Sequence, residues 1–215
     1  MPDRVIVLLP GETITIRAPH PSPPPPSPIQ GLDGRIVLPV PYLSQWSPTA
    51  RHAPGDCGPA SLAMAIHYLT DQRPTVDEVA IAGEVPEGAR WANLTQIARA
   101  ARRYSLKPRH VRPLTKDMIA EQLATSRPVL ALLKYDLLNT PDDPNQDNGF
   151  KGAHFVLIVG GSEDTAIFHD PDRLSGDQFG EFREKTWEVF MNACGSTSQT
   201  PGNAYNYHGM VFDGS

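Results

Sequence analysis

The order of helical and strand patterns constrains the fold of this chain more than any other feature of its sequence. Apolar residues recur at helical spacing between residues 57 and 124, and three short segments rich in Val, Ile, Leu and Phe follow at 128–135, 154–159 and 165–169. A block of helices followed by a block of strands is typical of the α+β class. We therefore expect a helical part followed by a sheet, in the α+β class.

Four helices are predicted, because each segment begins with residues that favour a helix start. Asp56 is placed to cap the first helix, which carries Pro59 in its first turn. Thr75 forms a capping-box pattern with the glutamate three residues later, at the start of the second helix. The third helix is predicted over 93–104 and the fourth over 115–124.

The amino-terminal part of the chain differs in composition from the rest. Strand-favouring residues at 4–9 and 13–17 flank Pro10-Gly11, which predicts a β-hairpin. The stretch PHPSPPPPSP at 19–28 is poor in backbone donors and favours polyproline II. We interpret it as a linker, with tethering or docking to a larger assembly as the alternative. The predicted organisation is an accessory hairpin segment at 1–18, a Pro-rich linker at 19–34 and a main domain at 35–215.

Charge and hydropathy exclude two classes of partner. The 24 acidic and 19 basic residues give a formal net charge of −5, so nucleic acid is not an expected partner. A basic cluster at 99–109 is interpreted as the exposed face of a helix, with an anionic contact surface as the alternative.

No apolar run reaches the roughly 18 residues of a membrane span, and none near the amino terminus resembles a signal peptide. A cytoplasmic location is predicted by default, with export by another route left open.

The main candidate for chemistry is Cys57, within Gly55-Asp56-Cys57-Gly58-Pro59-Ala60. A thiol attacks only as the thiolate, and an ordinary cysteine is mostly protonated at neutral pH. The start of a helix offers backbone N–H groups and a positive dipole end, and both stabilise a thiolate. Cys57 is therefore a candidate nucleophile; the alternative is a small apolar residue buried at a helix start.

A base for this thiol is predicted in the strand region. His154 follows Gly152-Ala153 and begins an apolar strand. A strand holds the imidazole of such a residue in a fixed position. Asp170 ends the next predicted strand, and adjacent strands bring it beside His154 as the group that orients the ring. The alternatives are a histidine satisfied within its strand and an aspartate that starts a turn before Pro171.

Acyl transfer also needs a hydrogen-bond donor for the developing oxyanion. Gln45 lies just after the predicted strand at 36–42 and carries a side-chain amide that suits this role together with the backbone N–H of Cys57. Taken alone, a glutamine at such a position is more often a surface loop residue.

The other histidines and cysteines predict no metal or cofactor site, because they do not form a zinc-ligand pattern. Residues 138–152 are interpreted as a solvated surface loop beside the site, with a calcium loop as the less favoured alternative. His52 is the fallback base, and Cys194 is interpreted as an inert, semi-buried thiol. A disulfide bond between Cys57 and Cys194 is left open.

Five stretches together point to a known family. They are VPYLSQ at 40–45, DCGPASLAM at 56–64, RPVLA at 127–131, GAHFVLIVG at 152–160 and HDP at 169–171. In content and order they resemble the peptidase C39-like family, of the bacteriocin-processing type within the papain-like cysteine peptidase superfamily. The resemblance implies a papain-like α+β fold for 35–215, in which the helical part carries the nucleophile and packs on an antiparallel β-sheet that carries His and Asp. By position it implies Gln45 as oxyanion donor, Cys57 as nucleophile, His154 as base and Asp170 as orienting acid.

The function that the resemblance implies is that of a cysteine peptidase acting on a peptide or protein substrate. It would hydrolyse a peptide or isopeptide bond through a thioester acyl-enzyme. One alternative keeps the same residues in an acyltransferase or a hydrolase of cell-wall cross-peptides. A second alternative is a catalytically silent peptide-binding module.

Overall fold

The structure has a strand between two of its helices and a helix between two of its last strands, whereas the sequence patterns predict a block of helices followed by a block of strands. The computed structural model describes residues 4–9, 12–16, 27–30, 34–46, 55–89, 91–138, 150–172, 180–195 and 206–213. The helices in these ranges are α1 (Cys57–Leu69), α2 (Val76–Ala82), α3 (Leu94–Arg103), α4 (Lys116–Ala124) and α5 (Trp187–Gly195). The strands are β1 (Arg4–Leu9), β2 (Glu12–Ile16), β3 (Ile29–Gln30), β4 (Ile36–Val37), β5 (Lys107–Val111), β6 (Val129–Lys134), β7 (Ala153–Gly161), β8 (Thr165–His169), β9 (Arg183–Thr186) and β10 (Gly209–Asp213).

The predicted starts of the second and third helices are confirmed by their caps. Thr75 accepts a hydrogen bond from the backbone N–H of Glu78, whose carboxylate accepts one from the N–H of Thr75. Asn93 and Gln96 form the same reciprocal pair at the start of α3. Such pairs satisfy N–H groups that a helix leaves without intrahelical partners, so short polar sequences fix these boundaries.

The main sheet is antiparallel and has β7 at its centre. Its strand order is β3-β4-β7-β6-β10-β5, with β8 paired to β7 and β9 paired to β8. The strands predicted at 128–135, 154–159 and 165–169 are therefore confirmed as β6, β7 and β8. Since β7 is paired on both edges and buried along almost its whole length, it is a rigid support for any side chain at its start.

The helical part packs on this sheet through α1. Nearly every residue of α1 is buried, which matches its apolar composition on all sides. It contacts α2, α3 and β7, and its start therefore lies where the helical layer meets the centre of the sheet. The α+β architecture expected from the order of patterns is confirmed.

Several elements were not predicted from the sequence. They are β5, β9, α5 and β10, which lie between or after the predicted segments. The predicted strand at 36–42 is a strand only over Ile36–Val37. The basic cluster at 99–109 is not one helix face, because α3 ends at Arg103 and the cluster continues onto β5.

The amino-terminal hairpin is present as an antiparallel pair of β1 and β2, in a sheet of its own. Residues 29–30, within the predicted linker, form β3 and pair with β4 of the main sheet. Most of the polyproline stretch lies outside the described residues, so its conformation stays a prediction, as does the three-part organisation.

Among the described helices, none combines the length and the apolar composition needed to cross a membrane.

Candidate active site

Cys57 is the first residue of α1 and is largely buried, with 7% of its surface exposed. Asp56 occupies the N-cap position, but its side chain makes no capping hydrogen bond. The prediction that Asp56 caps the helix through its side chain is therefore wrong. The carboxylate of Asp56 therefore does not cap the first-turn N–H groups of α1.

Gly58 allows the first turn of α1 to approach the rest of the site closely. A Cβ atom at this position would lie 2.9 Å from Cδ1 of Ile97 and 3.1 Å from Cδ2 of Phe155. Ile97 belongs to α3, and Phe155 is the strand neighbour of His154. The absence of a side chain at Gly58 thus lets the residue after the candidate nucleophile pack against the residue after the candidate base.

His154 contacts both of the other residues that were predicted to act with it, Cys57 and Asp170. Its side chain is hydrogen-bonded to Cys57, and its Nε2 atom lies 2.8 Å from Oδ1 of Asp170. Since Nε2 is engaged by the carboxylate, Nδ1 is the ring nitrogen left for the thiol. The side chains of His154 and Asp170 are 3% and 0% exposed, respectively. Cys57, His154 and Asp170 therefore form one continuous, buried hydrogen-bonded chain.

Asp170 has more partners than the sequence indicates. Its Oδ2 atom accepts a hydrogen bond from the hydroxyl of Tyr135 at 3.1 Å and is paired with the guanidinium of Arg183. Its Oδ1 atom accepts a further bond from the backbone N–H of Asp172 at 3.0 Å. Sequence reasoning missed Tyr135 and Arg183, because neither lies in a recognisable motif and β9, which carries Arg183, was not predicted.

The electrostatics of this hydrogen-bonded chain favour a charged imidazole at His154. Burial lowers the pKa of His154, but the charge of Asp170, the hydrogen bond to it and the interactions with Cys57 outweigh burial and raise this pKa above 6.5. Burial opposes ionisation of Asp170, yet His154 and then Arg183 hold its pKa below the usual range of a carboxyl group. The favoured state is therefore an imidazolium held by a carboxylate, beside the thiol.

Gln45 lies in the same region, on the segment that leads from β4 to α1. It is only 3% exposed, so the alternative of a surface glutamine is wrong. Its backbone N–H donates to the carbonyl of Pro171 at 2.9 Å, and its Nε2 donates to Oδ1 of Asp172 at 3.0 Å. Its Oε1 is buried without a hydrogen-bond partner among the described residues. Its role as an oxyanion donor stays a prediction.

His169 is a buried histidine that the sequence analysis gave no role. Its Nε2 donates to the carbonyl of Val40 at 2.9 Å, and its Nδ1 accepts from the N–H of Phe182 at 3.1 Å. Burial lowers the pKa of His169 to about 4, against a smaller opposing effect of the bond to Val40. The neutral ring, directly before Asp170, thus joins the end of β8 to the segment that follows β4 and to the turn residue that precedes β9.

The stability of the protein is expected to fall in mild acid because of His169. A folded-state pKa near 4, compared with 6.5 in the unfolded chain, gives stability that is complete above pH 6.5 and is lost as the pH falls towards 4. The loss between pH 7 and 4.5 is about 2 to 3 kcal/mol. Urea unfolding of the parent and of His169→Gln at both pH values measures it, and an equal loss in both proteins would contradict this assignment. His154 and Asp170 do not account for this loss: the raised pKa of His154 gives stability that is complete below pH 6.5 and falls as the pH rises, and the lowered pKa of Asp170 gives stability that is lost only below the usual pKa of a carboxyl group.

The remaining candidates divide into those described and those outside the described residues. Cys194 is fully buried rather than semi-buried as predicted, and burial raises its pKa to about 12, which is consistent with an inert thiol. Both cysteines are free, so the disulfide alternative is wrong. His52 and residues 139–149 of the predicted loop lie outside the described residues, so the fallback base and the solvated or calcium-binding loop stay predictions. No group of three or more potential metal ligands occurs in the part of the chain that the structure describes.

The fold and the residues at its centre define a class of protein. A helix that begins at a cysteine, packed on an antiparallel sheet that presents a His–Asp pair to it, is the papain-like cysteine peptidase fold. The chain belongs to the Peptidase_C39 like family, whose sequence profile matches residues 37–210. The resemblance and the fold predicted from the sequence are confirmed.

Three solved structures are similar to this chain, and the first of them supports the same fold. A Bacillus anthracis protein designated a C39-like peptidase is 16% identical, with a TM-score of 0.60, over 85% of this chain and 99% of that one. The peptidase domain of Streptococcus ComA, a bifunctional ABC transporter, is 14% identical over 73% of this chain and 90% of its own, with a TM-score of 0.48. A double-glycine-motif protease from an AMS/PCAT transporter, solved with its leader peptide, is 20% identical over 80% of this chain and 90% of its own, with a TM-score of 0.48. None of the curated proteins compared with the sequence matches it.

Proposed function

We propose that the protein is a cysteine peptidase that hydrolyses a peptide or isopeptide bond through a thioester at Cys57. The observation that carries the proposal is the buried hydrogen-bonded chain from Cys57 through His154 to Asp170. A charged histidine fixed against a thiol at a helix start is the arrangement that produces a reactive thiolate at neutral pH. Membership of the C39-like family agrees with this chemistry.

Each proposed step uses a group already in place. The thiolate of Cys57 attacks the substrate carbonyl carbon, and the carbonyl oxygen becomes an oxyanion that accepts hydrogen bonds from Gln45 and the backbone N–H of Cys57. His154 gives its proton to the leaving amine, and the C–N bond breaks to leave a thioester. Neutral His154 then removes a proton from water, which attacks the thioester and releases the acid. Asp170 holds the ring in the required orientation during both steps.

Peptides are the proposed substrates because of the family to which the chain belongs. The site itself does not determine whether water or an amine accepts the acyl group. The same thioester can pass its acyl group to an amine, as in an acyltransferase, or be formed from a cell-wall cross-peptide. A silent peptide-binding module is less consistent with the structure, since such a module needs no buried cysteine–imidazolium pair.

Digestion of a mixed peptide library is expected to show the activity directly. The parent protein should generate new peptide termini that are absent when Cys57→Ala is used under the same conditions, because the variant lacks the nucleophile but keeps a similar volume. Mass spectrometry identifies the termini. Added glycinamide separates the alternatives, because an acyltransferase would convert the new carboxyl termini into amide adducts. Equal product patterns for the parent and Cys57→Ala would contradict the proposed function.

A further inference from the structure

Asp172 has an unusual position beside the candidate site. Its Oδ1 atom accepts hydrogen bonds from Nε2 of Gln45 at 3.0 Å and from Nε1 of Trp46 at 2.8 Å. Its backbone N–H donates to Oδ1 of Asp170 at 3.0 Å. The three-residue stretch from Asp170 to Asp172 therefore joins the group that orients His154 to the side chain predicted to hold the oxyanion.

The side-chain amide of Gln45 needs such a partner. Its two ends are nearly the same size, and only the NH2 end can stabilise an oxyanion. Its Oε1 atom is buried without a hydrogen-bond partner among the described residues, so no donor there fixes the orientation of the amide. A carboxylate only accepts hydrogen bonds, and Asp172 therefore holds the nitrogen end in a defined place.

The backbone supports the same arrangement. The N–H of Gln45 donates to the carbonyl of Pro171 at 2.9 Å, and the hydroxyl of Ser44 donates to the same carbonyl at 3.4 Å. These two hydrogen bonds attach both Ser44 and the backbone of Gln45 to the Asp170–Asp172 stretch. One N–H of Nε2 is used by Asp172, and the second remains to donate to a substrate oxygen.

We propose that Asp172 is a positioning residue that orients the Gln45 amide as the oxyanion donor. This inference rests on the proposed function, because it assigns a residue to the oxyanion step of that reaction. Asp172 acts through Gln45 and does not touch the reacting atoms. Its removal leaves the thiolate in place but allows the amide to rotate, so only reactions that pass through an oxyanion become slower.

Two small reagents separate these effects at the same cysteine. With p-nitrophenyl acetate, the thiolate attacks the acetyl carbonyl, an oxyanion forms, and p-nitrophenolate leaves to give an acetyl thioester. With iodoacetamide, sulfur displaces iodide and no oxyanion forms. The ratio of the acetylation rate to the alkylation rate, measured for Cys57 by peptide mapping, reports oxyanion stabilisation independently of the thiolate fraction.

The expected results distinguish a positioning role from a structural one. Gln45→Ala should lower this ratio by about 100-fold, and Asp172→Ala should lower it about tenfold or more. Asp172→Asn should recover most of the ratio, since its amide oxygen still accepts from Nε2. The double variant should match Gln45→Ala, because the two residues act on one donor. Asp213→Asn, at an exposed carboxylate paired with Arg109, is the matched control and should leave the ratio unchanged.

Two contrary outcomes have different meanings. If Gln45→Ala lowers the ratio and Asp172→Ala does not, or if Asp172→Ala slows both reactions equally, the positioning role is overturned and the proposed function remains. If Gln45→Ala itself leaves the ratio unchanged, Gln45 is not an oxyanion donor, and the proposed oxyanion step and the role of Asp172 fail together.

Discussion

Replacing His154 by alanine is expected to abolish the labelling of Cys57 by iodoacetamide in mildly acidic solution. Under the proposed function, the imidazolium of His154 stabilises a thiolate at Cys57, and the raised pKa of His154 keeps the charge of the ring throughout the neutral range. Labelling should therefore continue at a substantial rate well below pH 8. In His154→Ala it should follow an ordinary thiol and fall about tenfold for each pH unit below neutral. At pH 6, the expected difference between the two proteins is about 100-fold or more.

The measurement is the rate of alkylation from pH 4 to 9, with peptide mapping to separate Cys57 from the buried Cys194. His110→Ala is the matched control, because His110 is an exposed histidine on β5 that is hydrogen-bonded to His208. Its profile should match that of the parent. Slow labelling that rises only above pH 8 in all three proteins would contradict the thiolate–imidazolium pair and leave the binding-module alternative.

The parts of this structure that were predictable are those encoded within a few residues. The starts of α2 and α3 depend on side chains three positions apart, and such local signals are visible in a sequence. The pairing of His154 with Asp170 was predictable for a related reason. Two consecutive apolar strands, β7 and β8, place these residues near each other whatever the rest of the sheet contains.

The unpredicted parts depend on contacts between segments that are distant in the sequence. The strand β9 has the sequence REKT and only one buried residue, Arg183, so no alternating apolar pattern marks it. It is a strand because it pairs with β8. The role of Asp172 is hidden in the same way, since a short polar loop gives no sign that its carboxylate lies against Gln45, 127 residues away. The proximity of Cys57, His154 and Asp170 was therefore predictable, but the residues that surround and hold them were not.

Arg183→Met is expected to lower the free energy of unfolding by about 3 kcal/mol and to weaken the reactivity of Cys57 at low pH. The side chains of Arg183 and Asp170 are 5% and 0% exposed, and removing one partner of a buried ion pair leaves an uncompensated charge. The carboxylate keeps His154, Tyr135 and a backbone N–H as partners, so the loss should lie at the low end of the range for such pairs. Urea unfolding at pH 7 measures the first effect.

The effect on reactivity follows from the charges of the buried groups. With Cys57 as thiolate, His154 as imidazolium, Asp170 as carboxylate and Arg183 as guanidinium, these charges sum to zero. Without Arg183 the sum is −1, and protonation of the thiolate is the least costly way to remove the excess in a buried site. The iodoacetamide profile of Arg183→Met should therefore shift to higher pH, although Arg183 has no part in the chemical step.

Two further variants make this prediction specific. Arg183→Lys keeps the charge but loses the guanidinium geometry, so it should lose less stability than Arg183→Met and keep more labelling at pH 6. Arg109→Met removes an exposed arginine that is paired with Asp213 and should cost about 1 kcal/mol or less, with no change in labelling. An Arg183→Met protein as stable as the parent would show that the ion pair does not stabilise the fold. An unshifted labelling profile in that variant would show that the guanidinium charge does not act on Cys57, and the thiolate would then depend on His154 and the helix start alone.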